Sequence, residues 1–502
     1  MAPPVLWGLA VIVVLGLCAM TVYPRGTPAA TQFATLQTAS ATEPRVTGTA
    51  RSAARVTGLR TRDPQEPPTA THPRAEVQGR QWAAPRVARG VPTAPLHDGS
   101  WIRWLCGGGA VLSLVALALL RVRGAHNGPP AAAPIAMAST FGIWEGRIPG
   151  LDAMALEKRV PLGQTGMAIA PLGIGTWAWG NKLLWGYDPE ADAELQGAFD
   201  EAVGSGLNFF DTGDSYGTGE LEGQAERLLG QFRDDFARTR DSAAAGRVCL
   251  GTKLAVYPWR LTGQSFEDAC RASLQRMGRD QLEIAQAHWS ASNYAPWQEP
   301  ALWDGLCRCY EAGLCRAVGA SNFGPKQLRK FAQYCKDRNV PLVLNQVQFS
   351  LLSTAPLESG LMDVCKELGI TVVAYSPLAL GALSGKYTLS EDGRQVVPAR
   401  PGVRLPDGPR ALLIRQVLPG AADLIRQLES IAQKRNKTVA QVALNWCVCK
   451  GAVPIVGARS SAQVRENLGA LGWRLSNPEV QALDRAAALA KKKATQNVFM
   501  TN

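Results

Sequence analysis

From residue 158 onward, short apolar runs alternate with amphipathic stretches, and the alternation repeats eight times. The apolar runs are LGIGTW from Leu172, NFFDT from Asn208, VCLGTKL from Val248, LEIAQAH from Leu282, CRAVGAS from Cys315, LVLNQVQF from Leu342, TVVAYS from Thr371 and AVPIVG from Ala452. Helical patterns follow from Ala191, Gly223, Ser265, Ala301, Pro325, Leu361, Ala421 and Ser460. Brief apolar runs bounded by turn formers suit strands buried on both faces. Eight strand-then-helix units in roughly 300 residues predict an α/β fold, a closed (β/α)8 barrel, whose usual size is about 250 residues before insertions. An open doubly wound sheet would call for G-x-G-x-x-G after its first strand. Here Gly173 and Gly175 lie inside the strand itself. RVPLGQTGMAIA (159–170) predicts a short hairpin ahead of the barrel, and Thr438–Cys449 and Pro478–Leu489 predict two helices outside the repeat.

A barrel makes a demand on the sequence: functional residues belong at the C-terminal ends of its strands. Asp211 stands at the end of the second strand, Lys253 of the third and His288 of the fourth. Ser321 and Asn322 end the fifth, Gln346 lies on the sixth, Tyr375 and Ser376 end the seventh, and Gly457 ends the eighth. Each has an ordinary alternative, such as a surface cation for Lys253, a core histidine for His288 or a helix cap for Asn322. Their joint position at one end is what singles them out. NFFDTGDSYG (208–217) also sets Tyr216 five residues after Asp211 across a tight turn. A phenol has an ordinary pKa of about 10, and a cation beside it would make it a better proton donor. Taken alone, the same stretch reads better as an ordinary polar loop.

Charge and histidine content exclude other chemistries. The formal charge is +12, but residues 1–125 hold thirteen Arg, no Lys and five acids, and so +8 of it. The barrel region therefore has no basic stripe for nucleic acid. Only His288 lies beyond residue 126, which leaves no histidine cluster for a metal. The eleven cysteines include no C-x-x-C pair, so a disulfide or zinc framework is not expected. A hydrolase would need paired acids or a metal at the strand ends, and neither is present.

Residues 1–125 form a separate kind of sequence. An apolar run at 5–20 fits a signal-peptide core better than a full membrane span. A Thr/Ala/Pro/Arg-rich stretch follows, then a second apolar run at 104–120 closed by Arg121 and Arg123. Residues 126–157 are expected to be a linker, and 158–502 the barrel domain. The order resembles bipartite plastid presequences, which implies a plastid protein. The alternative is a membrane-anchored protein, with membrane contact through the leader only.

In the barrel region, FFDTGDSYG (209–217), LGTKL (250–254), SLQRMGRDQLEIAQAHWS (273–290), VGASNFG (318–324), LNQVQF (344–349), AYSPLALGALSGKY (374–387) and PIVGARSSAQVRENLGALGW (454–473) occur in order. Together they resemble the aldo-keto reductases over about residues 159–502. GTWAWGNKLLWGY (175–187) and LLIRQVLPG (412–420) look most like the plant plastid branch, which includes a pyridoxal reductase. The resemblance implies a catalytic tetrad of Asp211, Tyr216, Lys253 and His288. It implies NADPH/NADP+ as cofactor, with Ser321, Asn322 and Gln346 on the carboxamide and Tyr375 stacked on the nicotinamide. Ser376 and Leu378 fall at the diphosphate, and Gly457, Arg459, Gln463, Glu466 and Asn467 at the adenosine end. Gly213 departs from the family's usual Ala, which should loosen the loop slightly. On this reading Tyr216 donates a proton to a small carbonyl substrate, Lys253 lowers its pKa, and Asp211 holds Lys253. The core is expected to be monomeric. A non-catalytic NADP(H)-binding regulatory subunit of a membrane protein is the alternative. Trp177, Trp179, Trp185 and Trp289 either line an aromatic substrate wall or pack the barrel. The loop 388–409 gives no pattern from which to read specificity.

Overall fold

The computed structural model describes residues 158–390, 395–406, 408–490, 494, 497 and 499–501. The leader with its two apolar runs and the linker expected over 1–157 lie outside the described residues. Among the described residues, no helix is long and apolar enough to cross a membrane.

Eight parallel strands close into a barrel: β1 (Gly173–Gly175), β2 (Phe209–Asp211), β3 (Cys249–Leu254), β4 (Leu282–Ala287), β5 (Cys315–Ser321), β6 (Leu342–Gln348), β7 (Thr371–Tyr375) and β8 (Ala452–Gly457). Each strand pairs with its successor in sequence, and β8 pairs with both β7 and β1. All eight strands are those expected from the apolar runs. The principal helices follow them at Asp192–Gly204, Gln224–Thr239, Gly263–Met277, Glu299–Glu311, Pro325–Asp337, Leu361–Glu367, Ala422–Arg435 and Ser461–Leu468.

The helices begin where capping chemistry allows. Thr262 and Ser265 form a reciprocal capping box at the helix after β3, which satisfies donors that a helix start leaves unpaired. Gly278 ends that helix in the left-handed region at φ 62°, where a side chain would be strained. The two helices outside the repeat start on the same device, Thr438 with Gln441 and Ser476 with Glu479, and run Val439–Cys449 and Asn477–Leu489.

Two apolar layers hold the barrel. Inside, Phe209, Cys249, Ile284, Ala317, Leu344, Val373, Val453 and Ile455 fill the lumen. The hairpin of Val160–Pro161 and Ala168–Ile169 adds Val160, Leu162, Met167 and Ile169 to the same cluster. Outside, the other strand face packs on the helix ring. The nine described cysteines are free and buried in these layers.

The loop 388–409 contains more structure than its sequence signals. Tyr387–Leu389 pairs antiparallel with Val396–Pro398, and a helix runs Gly408–Val417. Three-residue strands are too short to show the period-2 pattern by which strands are read.

Candidate active site

Strand register assembles the site. Asp211 on β2 lies opposite Gly251 on β3. Side chains alternate along a strand, so Lys253 is the next residue of β3 on Asp211's side. Lys253 in turn lies opposite Gln286 on β4, and His288 follows two residues on. Ser321 lies opposite Gln346, and Gln348 opposite Tyr375. Gly251 and Gly319 are required here. A Cβ on Gly251 would come within 2.9 Å of the Gln286 amide, and one on Gly319 within 2.8 Å of Gln286 Cγ. The two glycines leave the space through which Gln286 reaches Asp211.

Lys253 Nζ donates to Asp211 Oδ2 at 2.5 Å and to the Thr212 carbonyl at 2.6 Å. The two side chains are 1% and 2% exposed, so the pair is dry. Asp211 Oδ1 accepts from Gln346 Nε2 at 2.6 Å and Gln286 Nε2 at 3.2 Å. Burial pushes the Lys253 ammonium down, and Asp211 opposes that by charge and hydrogen bond. The Lys253 ammonium lies 4.8 Å from the centre of the Tyr216 ring, and the Tyr216 and His288 rings meet edge to face at 5.7 Å. The four residues of the expected tetrad are therefore together.

Electrostatics corrects one expectation. The Tyr216 phenol is held well above its ordinary value, by burial first and then by Asp211 and Asp214. The expected lowering by Lys253 is not seen, because the ammonium is engaged by Asp211 and two acids face the phenol. His288 is held well below its ordinary value, by burial, then Lys253 and Arg260, so its imidazole is neutral. Its Nδ1 is buried with no hydrogen-bond partner. Gly213 also acts differently from expectation. A Cβ there would stand 3.1 Å from the Tyr216 ring, so the missing methyl gives the ring room.

Three groups at the site carry no signal in the linear pattern. Gln286 looks like any alternating strand residue. Asp214 accepts from the Ala255 amide at 3.1 Å and from Arg260 Nη1 at 2.6 Å, which ties the Tyr216 loop to the end of β3. Glu226, fully buried, accepts from Thr252 Oγ1 and Arg276 Nε, both at 2.5 Å.

The other expected residues gather along β5 to β8. Asn322 sits at φ 62° and Ser376 at φ 50°, with Ala379 and Leu380 also left-handed. Non-glycine residues rarely adopt this conformation, and runs of it concentrate where loops clamp ligands. Asn322 Nδ2 donates to Ser321 Oγ and to the His288 carbonyl, both at 3.2 Å, and its Oδ1 accepts from Tyr375 OH at 2.9 Å. Gln346 lies among them, but its amide nitrogen faces Asp211. Leu378 is half-buried beside the left-handed pair. Beyond β8, Arg459 is exposed; its backbone N–H donates to Gln463 Oε1 at 2.8 Å and its Nη1 to the Trp185 carbonyl at 2.8 Å. Arg410 stacks on the Trp185 ring at 4.6 Å, so two guanidiniums converge there; sequence reading missed the second. Arg459 and Gln463 also line a cavity of about 180 Å³ with Tyr187, Glu194 and Leu195, none of them from the tetrad. Glu466 and Asn467 lie on the following helix, and Asn467 Nδ2 is buried without a partner. A Cβ on Gly457 would meet nothing within 4 Å, so the space over the end of β8 is open.

These features suit a dinucleotide. Orphaned polar atoms stand after β4, at His288 Nδ1, and after β8, at Asn467 Nδ2, and two guanidiniums converge beside Trp185. Among the described residues, no group of His, Cys, Asp and Glu could hold a metal ion.

The four tryptophans divide. Trp179 is fully buried, donates to the Ala458 carbonyl at 3.0 Å and packs on Phe232, so it is a core residue and not a substrate wall. Trp177 and Trp185 meet edge to face. Trp289 lies 4.9 Å from His288 and stacks on Phe499 at 4.6 Å.

The Aldo/keto reductase family model matches residues 171–488. The chain is 52% identical over 335 residues to Arabidopsis thaliana "Pyridoxal reductase, chloroplastic", covering 67% of this chain and 88% of that one. It is 28% identical to Escherichia coli "NADH-specific methylglyoxal reductase", covering 66% of this chain and 98% of that one. Among solved structures, the thermostable aldo-keto reductase Tm1743 is 26% identical, with a TM-score of 0.49, over 65% of this chain and 99% of that one.

Proposed function

The chain belongs to the aldo/keto reductase family, and from that premise we propose that it reduces an aldehyde or ketone to the alcohol using NADPH. The observation that carries the reading is the buried Lys253–Asp211 pair under a phenol and a neutral imidazole. Bound NADPH would supply the hydride. As hydride reaches the carbonyl carbon, negative charge builds on oxygen, and Tyr216 gives that oxygen its proton. The neutral His288 orients the carbonyl by hydrogen bonding, which needs no change in its own charge. Asp211 keeps Lys253 charged in a dry site, and Lys253 offsets the phenolate that proton transfer leaves behind. Ser321, Asn322, Gln346 and Tyr375 would hold the nicotinamide end, Ser376 and Leu378 the diphosphate, and Gly457, Arg459, Gln463, Glu466 and Asn467 the adenosine end.

NADPH is preferred over NADH on this reading because Arg459 and Arg410 converge near Trp185, where a guanidinium pair suits a phosphate. The family alone does not decide the point, since the similar E. coli reductase is described as NADH-specific. For substrate, we favour a flat aromatic aldehyde such as pyridoxal, and for location the plastid. The similar Arabidopsis protein carries both words in its name, and the Trp289–Phe499 stack beside His288 offers an aromatic face.

The test is NADPH oxidation by the full-length chain with pyridoxal, methylglyoxal and a simple aliphatic aldehyde, repeated with Tyr216→Phe. That variant keeps the ring and deletes the acid. Its kcat/KM is expected to fall about 10²–10⁴-fold with NADPH affinity retained. Undiminished turnover in Tyr216→Phe would overturn the mechanism. No turnover of any carbonyl by the unmutated chain would overturn the function.

A further inference from the structure

Several of the described residues beyond helix Asn477–Leu489 lie at the barrel mouth. The Thr501 N–H donates to the Asn322 carbonyl at 3.1 Å, and Thr501 Oγ1 accepts from the Gly324 N–H at 2.8 Å. Asn293 Nδ2 donates to the Met500 carbonyl at 3.2 Å, and Phe499 stacks on Trp289. Between these anchors, Asn497 Nδ2 donates to Tyr375 OH at 2.8 Å. None of these tail residues follows a helix or strand period, and none matches a site motif.

The polarity of this contact can be worked out group by group. Asn497 Oδ1 accepts from the Phe499 backbone N–H at 2.9 Å. A backbone N–H can only donate, so the amide oxygen must face it and the NH2 must face Tyr375. The phenol oxygen is then an acceptor on that side, and its single proton is free for Asn322 Oδ1, 2.9 Å away. With Asn322 Oδ1 occupied, its NH2 faces Ser321 Oγ and the His288 carbonyl. The chain of donors runs one way, from the Phe499 amide through Asn497, Tyr375 and Asn322 to the loop that carries His288. Each amide has only one orientation that satisfies its neighbours.

We propose that Asn497 is a positioning residue for the nicotinamide end of the cofactor, acting through Tyr375 to fix the orientation of the Asn322 amide before the cofactor arrives. The inference rests on the functional reading above, which gives Asn322 and Tyr375 the nicotinamide. A preset amide avoids an ordering cost on binding. The tail is thereby part of the cofactor site through Tyr375 and Asn322, which the functional reading places on the nicotinamide.

The experiment compares Asn497→Ala and Asn497→Asp in the full-length chain by fluorescence titration with NADPH, and with 2′,5′-ADP as a probe of the adenosine end alone. Asn497→Ala removes one donor but leaves the Tyr375 proton on Asn322, so NADPH affinity should fall roughly two- to tenfold. Asn497→Asp is nearly isosteric, yet its carboxylate only accepts. It draws the Tyr375 proton away from Asn322 and should cost more than Asn497→Ala. In a Tyr375→Phe background the phenol is gone, and the two substitutions should become equivalent. The affinity for 2′,5′-ADP should be unchanged throughout.

NADPH affinity in Asn497→Asp within about twofold of the unmutated chain overturns the inference while leaving the reductase reading intact. So does a parallel loss for 2′,5′-ADP, which marks general damage and not positioning. A difference between Asn497→Ala and Asn497→Asp that persists in the Tyr375→Phe background refutes the route through Tyr375. An unmutated chain that does not bind NADPH removes the functional reading, and the inference with it.

Discussion

Replacing Lys253 by Met separates what the lysine does for folding from what it does for chemistry. The ammonium is 1% exposed and 2.5 Å from Asp211, so its removal strands a carboxylate that is itself 2% exposed. Deleting one partner of a buried ion pair costs about 3–5 kcal/mol, because the remaining charge stays buried. Asp211 does not lose everything. The Gln346 and Gln286 amides still donate to Oδ1 at 2.6 and 3.2 Å. The loss should therefore fall at the low end, about 3 kcal/mol. That is a large fraction of the roughly 5–15 kcal/mol by which native proteins are stable.

The distinguishing step is a second substitution. Asp211→Asn added to Lys253→Met removes the stranded charge and leaves an amide among amides. Most of the lost stability should return, while carbonyl reduction stays at the level of the single variant. Equilibrium urea unfolding followed by tryptophan fluorescence reads the first quantity, and kcat/KM with one good aldehyde reads the second. If Lys253→Met is as stable as the unmutated chain, the pair is not buried as described. If the double variant is no more stable than the single one, the cost lies in lost packing and not in stranded charge.

Arg459→Ala should weaken NADPH by about one to two decades while leaving NADH nearly unchanged, since charge-assisted contacts to phosphate contribute roughly 1.5–3 kcal/mol; equal losses would move the 2′-phosphate elsewhere. In the pH profile of kcat/KM, His288 is already neutral, so no limb should appear near its ordinary value of about 6.5. The raised Tyr216 phenol keeps its proton on the alkaline side until beyond about 10. A fall in reduction between about pH 7 and 9 would contradict that assignment. For stability, the depressed His288 makes the unfolded chain the stronger proton binder, so His288 costs stability as pH falls below about 6.5; His288→Gln should flatten that part of the stability profile, and an unchanged slope would assign it to another group. A chain beginning at Ala155 should fold and bind NADPH without residues 1–154; an insoluble product would place the domain boundary elsewhere.

Much of the barrel was legible because its strands are buried on both faces and announce themselves as continuous apolar runs. Asp211, Lys253, Ser321 and Tyr375 were legible because each breaks such a run with a polar group at or next to the last residue of its strand. What stayed hidden depends on distance in sequence. Gln286 meets Asp211 across 75 positions, and the glycines that admit it, Gly251 and Gly319, look like weak strand residues until their neighbours are known. Trp179 carries the same indole as Trp289, and only packing makes one core and the other site. The sign of the Tyr216 shift was misread because burial, which raises it most, does not show in the linear sequence, nor do Asp211 and Asp214 beside the phenol.

That sign matters for the proposed chemistry. A proton donor must first hold its proton at neutral pH. Burial, Asp211 and Asp214 together keep the Tyr216 phenol protonated before substrate binds. In the proposed reduction, hydride addition would build negative charge on the carbonyl oxygen, and Tyr216 would give that oxygen its proton. The phenolate this would leave has its ring centre 4.8 Å from the Lys253 ammonium, whose charge would offset it. The outer acids make this possible. Glu226, tied to Thr252, and Asp214, hydrogen-bonded to Ala255, bracket Lys253 along β3 and favour its charged form against burial. Arg276 and Arg260 pair with those acids, and Asp211 is the acid that engages the ammonium directly, beside the Thr212 carbonyl. The strand alternation of β3 thus gives Thr252 to Glu226 and Lys253 to Asp211, and both acids oppose the effect of burial on the ammonium.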